Sequence, residues 1–224
     1  MKYPVGIQTF NQIIERDFVY VDKTDLVYSL ATEGKIYFLS RPRRFGKSLL
    51  LSTLRAYFEG KKDLFAGLKI EALEHDWHVH RVFNFDFNGV NFTVPGALNR
   101  VLSSILSQWE QEYGIVSDMP LELGLRFGRI LQAAAEHTGR GAVVLVDEYD
   151  KPLLDVLEKD PELLNQNREI LKSFYSVFKQ ADASLRFVFL TGVTKFSQVS
   201  VFSGFNQPLD ISMTEKFEAL CGIT

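Results

Sequence analysis

The chain has 224 residues, of which 46% are hydrophobic and 24% are charged, and these values suit one globular α/β domain with its own core. The 25 basic and 28 acidic residues give a net charge of -3, which argues against a surface that coats nucleic acid. The single cysteine excludes an internal disulfide and favours a cytoplasmic location, and the sequence shows neither a signal peptide nor a membrane-spanning apolar run.

The first half of the chain alternates β-prone runs with amphipathic helices. Strands or extended segments are predicted at residues 18–22, 35–40 and 81–87. Thr24 is expected to cap a short helix that Gly34 ends. Apolar residues at three- and four-residue spacing predict a further helix over residues 47–58.

The second half continues the alternation. Long helices are predicted over residues 98–113, 121–135 and 163–180, the last with Asp160 as cap and Pro161 at its first position. Strands are expected at residues 142–146, 186–190 and 208–212. Because the strands are continuously apolar, both faces of the sheet should be covered. The predicted fold is a doubly wound α/β domain, with a mostly parallel five-stranded sheet and helices on both faces.

The segment LSRPRRFGKSLL at residues 39–50 carries the clearest chemical signal. A phosphate-binding loop needs glycine for close backbone approach, lysine for the outer phosphates and a hydroxyl for Mg²⁺. Gly46, Lys47 and Ser48 supply these groups between a predicted strand and a predicted helix. The predicted α/β fold is therefore of the P-loop NTPase type. The residues expected to contact the nucleotide are Arg41, Pro42, Arg43, Arg44, Phe45, Gly46, Lys47, Ser48 and Leu49.

The loop departs from the general pattern G-x-x-x-x-G-K-[ST] at its first glycine. Arg41 stands there, without the conformational freedom of glycine. The three loop arginines and Lys47 would favour phosphate and repel one another in its absence. The alternative is a basic turn that binds nothing.

The strand at residues 142–146 runs into two carboxylates. Its end should lie at the carboxyl edge of the sheet, where ligands bind in open α/β folds. Asp147 is therefore expected to hold Mg²⁺ together with Ser48, and Glu148 to orient or deprotonate the attacking water. Taken alone, the segment also fits a polar strand end; its occurrence together with the loop favours a site.

In ATPases whose water-orienting Glu follows the Asp that holds Mg²⁺, an extra strand separates the phosphate-loop strand from the Asp-Glu strand, and the resemblance of residues 147 and 148 to that arrangement implies such a strand here. The run at residues 186–190 would be that strand, and polar residues after it could touch the γ-phosphate or the water. Thr191 is the first candidate for this role, Thr194 the second, and Lys195 a third. A solvated loop without a role is the alternative.

Four separated segments, YVDKT, SRPRRFGKSLL, VDEYDKP and LTGVTKFS, resemble in order the AAA-ATPase-like proteins of bacteria, from about Tyr3 to about Thr224. The resemblance implies ATP and Mg²⁺ as cofactors and roles for Lys47, Ser48 and Asp147 with Glu148 in binding and hydrolysis. In that family the ATPase region typically precedes a restriction-endonuclease-like nuclease domain. We therefore expect a truncated chain, without that domain and without a helical lid.

The domain is expected to span residues 1–224, with residues 1–34 as an N-terminal extension near the nucleotide. Tyr3 and Phe10 could contribute to an adenine pocket. The leading function is ATP hydrolysis that controls a partner or a C-terminal nuclease-like domain. The alternative is a binding module that ATP operates without turnover. A homo-oligomer is compatible with the resemblance, no membrane partner is expected, and nucleic-acid binding by this domain is not favoured.

Overall fold

The computed structural model describes residues 2–116, 121–194 and 208–222. Within these residues the strands are β1 (Ile36–Ser40), β2 (Val82–Asp86), β3 (Ala142–Asp147), β4 (Leu185–Gly192) and β5 (Leu209–Asp210). They form one sheet in the order β2-β3-β4-β1-β5, and every pairing is parallel. The predicted five-stranded sheet is confirmed, and β4 is the extra strand between β1 and β3.

The described α-helices are α1 (Phe10–Glu15), α2 (Thr24–Glu33), α3 (Lys47–Phe58), α4 (Ala97–Glu112), α5 (Leu123–Thr138), α6 (Lys151–Leu154) and α7 (Pro161–Gln180). Helix α7 begins as predicted, since the Asp160 side chain accepts a hydrogen bond from the Leu163 N–H at 2.9 Å. A 3₁₀ helix, Glu215–Leu220, follows β5. In the part of the chain that the structure describes, no helix is long and apolar enough to cross a membrane.

Strand β3 shows why helices cover both faces of the sheet. All six of its residues are buried, and successive side chains point to opposite faces. Val144 and Val146 pack into the core that contains α4, α5 and α7, whereas Val143 and Leu145 pack into the core that contains α1, α2 and α3. Because α3 follows β1 and covers the second face, its first turn lies at the carboxyl edge of the sheet.

In the N-terminal region, the strand alternative for residues 18–22 and the cap position assigned to Thr24 are wrong. Residues 18–22 form no strand, and their pairing is limited to one bridge between Phe18 and Lys2. Asp22 is instead a local hydrogen-bond acceptor: one carboxylate oxygen receives the Thr24 N–H at 2.9 Å and the other receives the Lys69 N–H at 2.7 Å. Thr24 is the first helical residue rather than the cap, and its hydroxyl also accepts the Ile70 N–H.

Candidate functional site

The loop between β1 and α3 has the backbone conformation that a turn into a helix N-terminus requires. Gly46 has a φ of +84° and directly precedes α3, so any side chain here would strain the backbone. Arg44 also has a positive φ, +66°, which a non-glycine residue adopts only at a cost in free energy. The free N–H groups and dipole of the first turn of α3 favour an anion at this loop.

Lys47 lies inside the loop and not in solvent. Its side chain is buried, with 6% of the residue exposed. Its Nζ donates hydrogen bonds to the carbonyl oxygens of Arg41 at 2.9 Å and Pro42 at 3.0 Å. The loop backbone thereby holds the ammonium group at the N-terminus of α3, where it adds to the positive potential of the helix.

Arg41 ties the loop to the neighbouring strand ends. Its guanidinium donates to the carbonyl oxygens of Ser40 at 3.1 Å and of Ser212, which follows β5. Its backbone N–H donates to the Gly192 carbonyl at the end of β4, at 3.1 Å. Arg41 therefore has a structural contact that its place in the motif did not indicate, and its contact with phosphate stays a prediction.

The remaining predicted loop contacts differ in exposure. Leu49 is half-buried beside the core on the α3 face. The side chains of four loop residues are exposed and free to meet a ligand: Pro42, Arg43, Arg44 and Phe45. Their contact with nucleotide stays a prediction.

Ser48, Asp147 and Thr191 form one chain of contacts at the carboxyl edge of the sheet. The Ser48 hydroxyl donates to one carboxylate oxygen of Asp147 at 2.6 Å, and the Thr191 hydroxyl donates to the other at 2.6 Å. The Glu148 N–H also donates to Asp147, at 3.1 Å. The structure thus brings together the predicted metal ligands and the first candidate for nucleotide sensing.

The donor set around Asp147 fits Mg²⁺. Asp147 is 5% exposed, and its hydrogen-bond partners within the described residues are all neutral. A buried carboxylate without a cationic partner is costly, so a cation at this point would stabilise it. The Ser48 hydroxyl and the carboxylate supply the hard oxygen ligands that Mg²⁺ takes.

Glu148 combines backbone strain with a perturbed carboxyl group. Its φ is +51°, in the left-handed region. Burial and the neighbouring Asp147 raise the pKa of Glu148, while Arg43 and Lys47 act in the opposite direction. Strained backbone and raised carboxyl pKa values concentrate at functional sites, where a carboxylate of higher pKa is a stronger base.

The loop after β4 forms hydrogen bonds with the carboxylate of Asp150. One oxygen of this buried group accepts the N–H groups of Val193 at 2.9 Å and Thr194 at 2.8 Å, and the Thr194 hydroxyl at 3.0 Å. Thr194 therefore contacts Asp150, whereas Thr191 belongs to the contact chain described above. Lys195 lies outside the described residues.

Residues 221 and 222 lie against the phosphate loop. Lys23 donates to the Gly222 carbonyl at 2.6 Å, and a Cβ atom on Gly222 would come within 3.4 Å of the Phe45 ring. Burial raises the pKa of the Cys221 thiol to about 11, so the thiol stays protonated and unreactive at neutral pH. The segment after β5 thus contacts the loop through its backbone.

Helix α1 packs on α3, the helix that follows the phosphate loop. The Phe10 N–H donates to the Ser52 hydroxyl at 2.8 Å, and the Phe10 ring is buried against Tyr20 and Phe65. Tyr3 is 68% exposed. A contact of Phe10 or Tyr3 with adenine stays a prediction.

A polar groove that the sequence did not predict reaches Ser48 and Asp147. It has a volume of about 450 Å³, runs along α3, and includes Ser48, Asp147 and Asp86 in its lining. Asp86, at the end of β2, pairs directly with Asp147 in the β2–β3 register. The sequence places Asp86 at a strand end, but only the sheet order shows which strand lies beside it.

Comparison with known proteins agrees with this geometry. Residues 4–202 match the family model described as "Predicted AAA-ATPase". The chain belongs to the AAA-ATPase-like family. The AAA-like P-loop fold predicted from the sequence is thereby confirmed.

A curated relative of this AAA-ATPase-like chain is an uncharacterized protein from the vnfD 5′ region of Azotobacter chroococcum mcd 1. The two are 45% identical over 225 residues, covering 100% of this chain and 43% of the relative. The chain therefore spans less than half the length of that relative. Among solved structures, the chain is similar to the Aeropyrum pernix Orc1 protein in complex with DNA, with 14% identity, a TM-score of 0.41, and coverage of 89% of this chain and 48% of that one.

Proposed function

We propose that this AAA-like domain binds ATP with Mg²⁺ and hydrolyses it to ADP and phosphate. The observation that carries the proposal is the contact chain from Ser48 through Asp147 to Thr191, with Ser48 one position after the lysine of the phosphate loop. This chain joins the first turn of α3, the end of β3 and the end of β4. A basic turn without a ligand would not need a buried carboxylate at this point.

Each residue of the site has a distinct task in this proposal. Lys47 and the N–H groups of the first turn of α3 bind the outer phosphates. Ser48 and Asp147 would hold Mg²⁺, which when bound neutralises charge on the β- and γ-phosphates. Glu148 takes a proton from the water whose oxygen attacks the γ-phosphorus, while the bond to the β-phosphate oxygen breaks. Thr191 orients the Asp147 carboxylate through its hydrogen bond, and its proposed task is to sense the γ-phosphate or the water.

We further propose that nucleotide turnover controls a partner or a C-terminal nuclease-like domain. The family resemblance supports this role, and so do the contacts of Arg41 with Ser212 and of Lys23 with Gly222. The first contact connects the phosphate loop to the segment after β5, and the second connects the start of α2 to the same segment. A cytoplasmic location and a homo-oligomeric state belong to the same proposal, and nucleic-acid binding by this domain alone does not.

ATP binding is tested by calorimetry with Mg²⁺ on the wild type, Lys47→Ala and Lys62→Ala. Loss of the Lys47 contact should cost roughly 2 kcal/mol, more than tenfold in affinity. Lys62 is exposed and outside the site, so its variant should bind like the wild type. Equal affinity of Lys47→Ala and Lys62→Ala would contradict binding at this loop.

Hydrolysis is tested separately with Glu148→Gln. This variant should bind ATP but release phosphate at least about 100-fold more slowly, because a general base contributes 10²–10⁴-fold. Turnover equal to that of the wild type would refute the role given to Glu148. If the wild type binds ATP tightly and does not hydrolyse it, the alternative of a nucleotide-operated binding module applies instead.

A further inference from the structure

Strand β2 presents two polar side chains to the groove along α3. Phe83 and Phe85 are fully buried on the opposite face of the sheet, in the core that contains α4, α5 and α7. Asn84 and Asp86 alternate with them, are exposed, and line the groove. The groove therefore has a carboxylate at the carboxyl edge of the sheet, where ligands bind in open α/β folds.

Asp86 and Asp147 are neighbours on the same face of the sheet. They are Cα partners in the parallel β2–β3 register, and adjacent strands lie about 4.8 Å apart. Both line the groove together with Ser48. The two carboxylates therefore flank the position at which Ser48 and Asp147 would hold Mg²⁺.

The two oxygens of Asp86 are not equally engaged. One accepts the Asn88 N–H at 2.8 Å. Within the described residues, the other has no hydrogen-bond donor, and no lysine or arginine forms an ion pair with Asp86. By contrast, both oxygens of Asp147 already accept hydroxyl groups, from Ser48 and Thr191. The carboxylate with free acceptor capacity at this end of the groove is thus that of Asp86.

We propose that Asp86 is a positioning residue of the magnesium site. Its carboxylate accepts hydrogen bonds from the water shell of Mg²⁺ and does not touch the ion. This inference rests on the proposed function. Mg²⁺ in phosphate sites keeps several of its waters, and each needs an acceptor. Charge-assisted hydrogen bonds from such waters to Asp86 would fix the orientation of the shell on the side away from the phosphate loop.

The metal dependence of ATP binding separates this role from a structural one. In the absence of Mg²⁺ the Asp86 carboxylate repels ATP, so Asp86→Asn should bind ATP at least as tightly as the wild type. In the presence of Mg²⁺ the same variant should bind about fivefold or more weakly. Asn keeps the oxygen that accepts the Asn88 N–H, so the local turn should persist, and thermal unfolding checks this. A loss of fold would lower affinity in both conditions, not in one.

The experiment measures ATP binding by calorimetry with Mg²⁺ and with EDTA. Glu59→Gln is the matched control, because Glu59 lines the same groove but is paired with Arg55 and Lys61. Because the charge of Glu59 is already engaged by two cations and such ion pairs contribute little free energy, Glu59→Gln should change ATP affinity by less than about twofold in either condition. Asp86→Glu keeps the charge and should retain most of the Mg²⁺ effect.

The outcomes separate the inference from the function on which it rests. The inference is supported if Asp86→Asn binds ATP more weakly than the wild type with Mg²⁺ and at least as tightly with EDTA. If the wild type gains affinity from Mg²⁺ and Asp86→Asn gains as much, the inference is wrong while ATP binding stands. An equal loss in both conditions makes Asp86 structural and also overturns the inference. If the wild type binds no ATP in either condition, the proposed function fails, and the inference with it.

Discussion

The strained backbone of Glu148 leads to a prediction about the stability of the protein without bound nucleotide. Glu148 has a φ of +51° and follows directly on the buried Asp147. Glu148→Gly removes both the carboxylate and the steric cost of a side chain in the left-handed region. Glu148→Gln removes the carboxylate and leaves that steric cost in place. The difference in Tm between the two variants therefore reports the net cost of a side chain on left-handed backbone at this position.

The expected difference in stability between Glu148→Gly and Glu148→Gln depends on the backbone strain and on the loss of the carboxylate. Left-handed backbone costs a non-glycine residue about 1–2 kcal/mol, and the greater entropy of glycine in the unfolded chain offsets part of the relief, which leaves a net difference of about 1 kcal/mol. A difference of this size should raise the Tm of Glu148→Gly above that of Glu148→Gln by about 2–4 °C in a domain of this length. Burial and Asp147 raise the pKa of Glu148, so the folded state loses stability as pH rises from the ordinary glutamate pKa through the raised one. At neutral pH both variants should therefore gain stability over the wild type from the loss of this carboxylate, and this shared gain cancels when the two variants are compared.

Thermal unfolding by circular dichroism at neutral pH, without nucleotide, measures this difference. Both variants should also have lost phosphate release, so that any gain in stability accompanies a loss of activity. Asp17→Gly is a control, because Asp17 has a similar φ of +56° away from the site, and aspartate tolerates this region better than glutamate. A Glu148→Gly protein that melts at or below the temperature of Glu148→Gln would refute the assignment of strain to this residue.

Three further predictions concern other contacts of the structure. Arg41→Ala removes the hydrogen bond to Ser212, so it should lower the free energy of unfolding by about 1–2 kcal/mol and speed hydrogen exchange in residues 208–222. Asp160→Ala leaves the Leu163 N–H without its cap and should cost about 1 kcal/mol in chemical denaturation, with ATP affinity unchanged. Because the pKa of Glu148 is raised in the free protein and a general base acts when deprotonated, the acid limb of kcat/KM should lie at higher pH than for an ordinary glutamate, and a pH–rate profile of the wild type measures its position.

The sheet could be predicted from the sequence because its strands carry strong local signals. The run at 142–146 is apolar throughout, and in the structure β3 is buried on both faces. The position of β4 followed from the similarity of the Asp-Glu pair to that of ATPases with a strand between this pair and the phosphate loop, not from a local physical signal. The segment at 18–22 has the same β-prone composition but lacks a strand partner, so tertiary context overrode its local propensity.

The candidate site was predictable where it depends on spacing along the chain, and less so where it depends on register. Gly46, Lys47 and Ser48 are adjacent, and the helix that follows fixes their direction. The link from Arg41 to Ser212 and the pairing of Asp86 with Asp147 join segments far apart in the sequence. Such contacts arise from strand order, which a local pattern of residue types does not contain.

The same residues that make the site competent also weaken the domain without its ligand. A buried carboxylate at Asp147 has only neutral partners within the described residues, while Glu148 and Arg44 hold left-handed backbone. Each of these features costs free energy in the isolated fold. A bound cation would compensate the buried charge of Asp147, and contacts with the ligand would compensate the cost of the strained backbone. Selection for stability alone would remove all three, so their presence together at one edge of the sheet is best explained by a ligand that carries both charges.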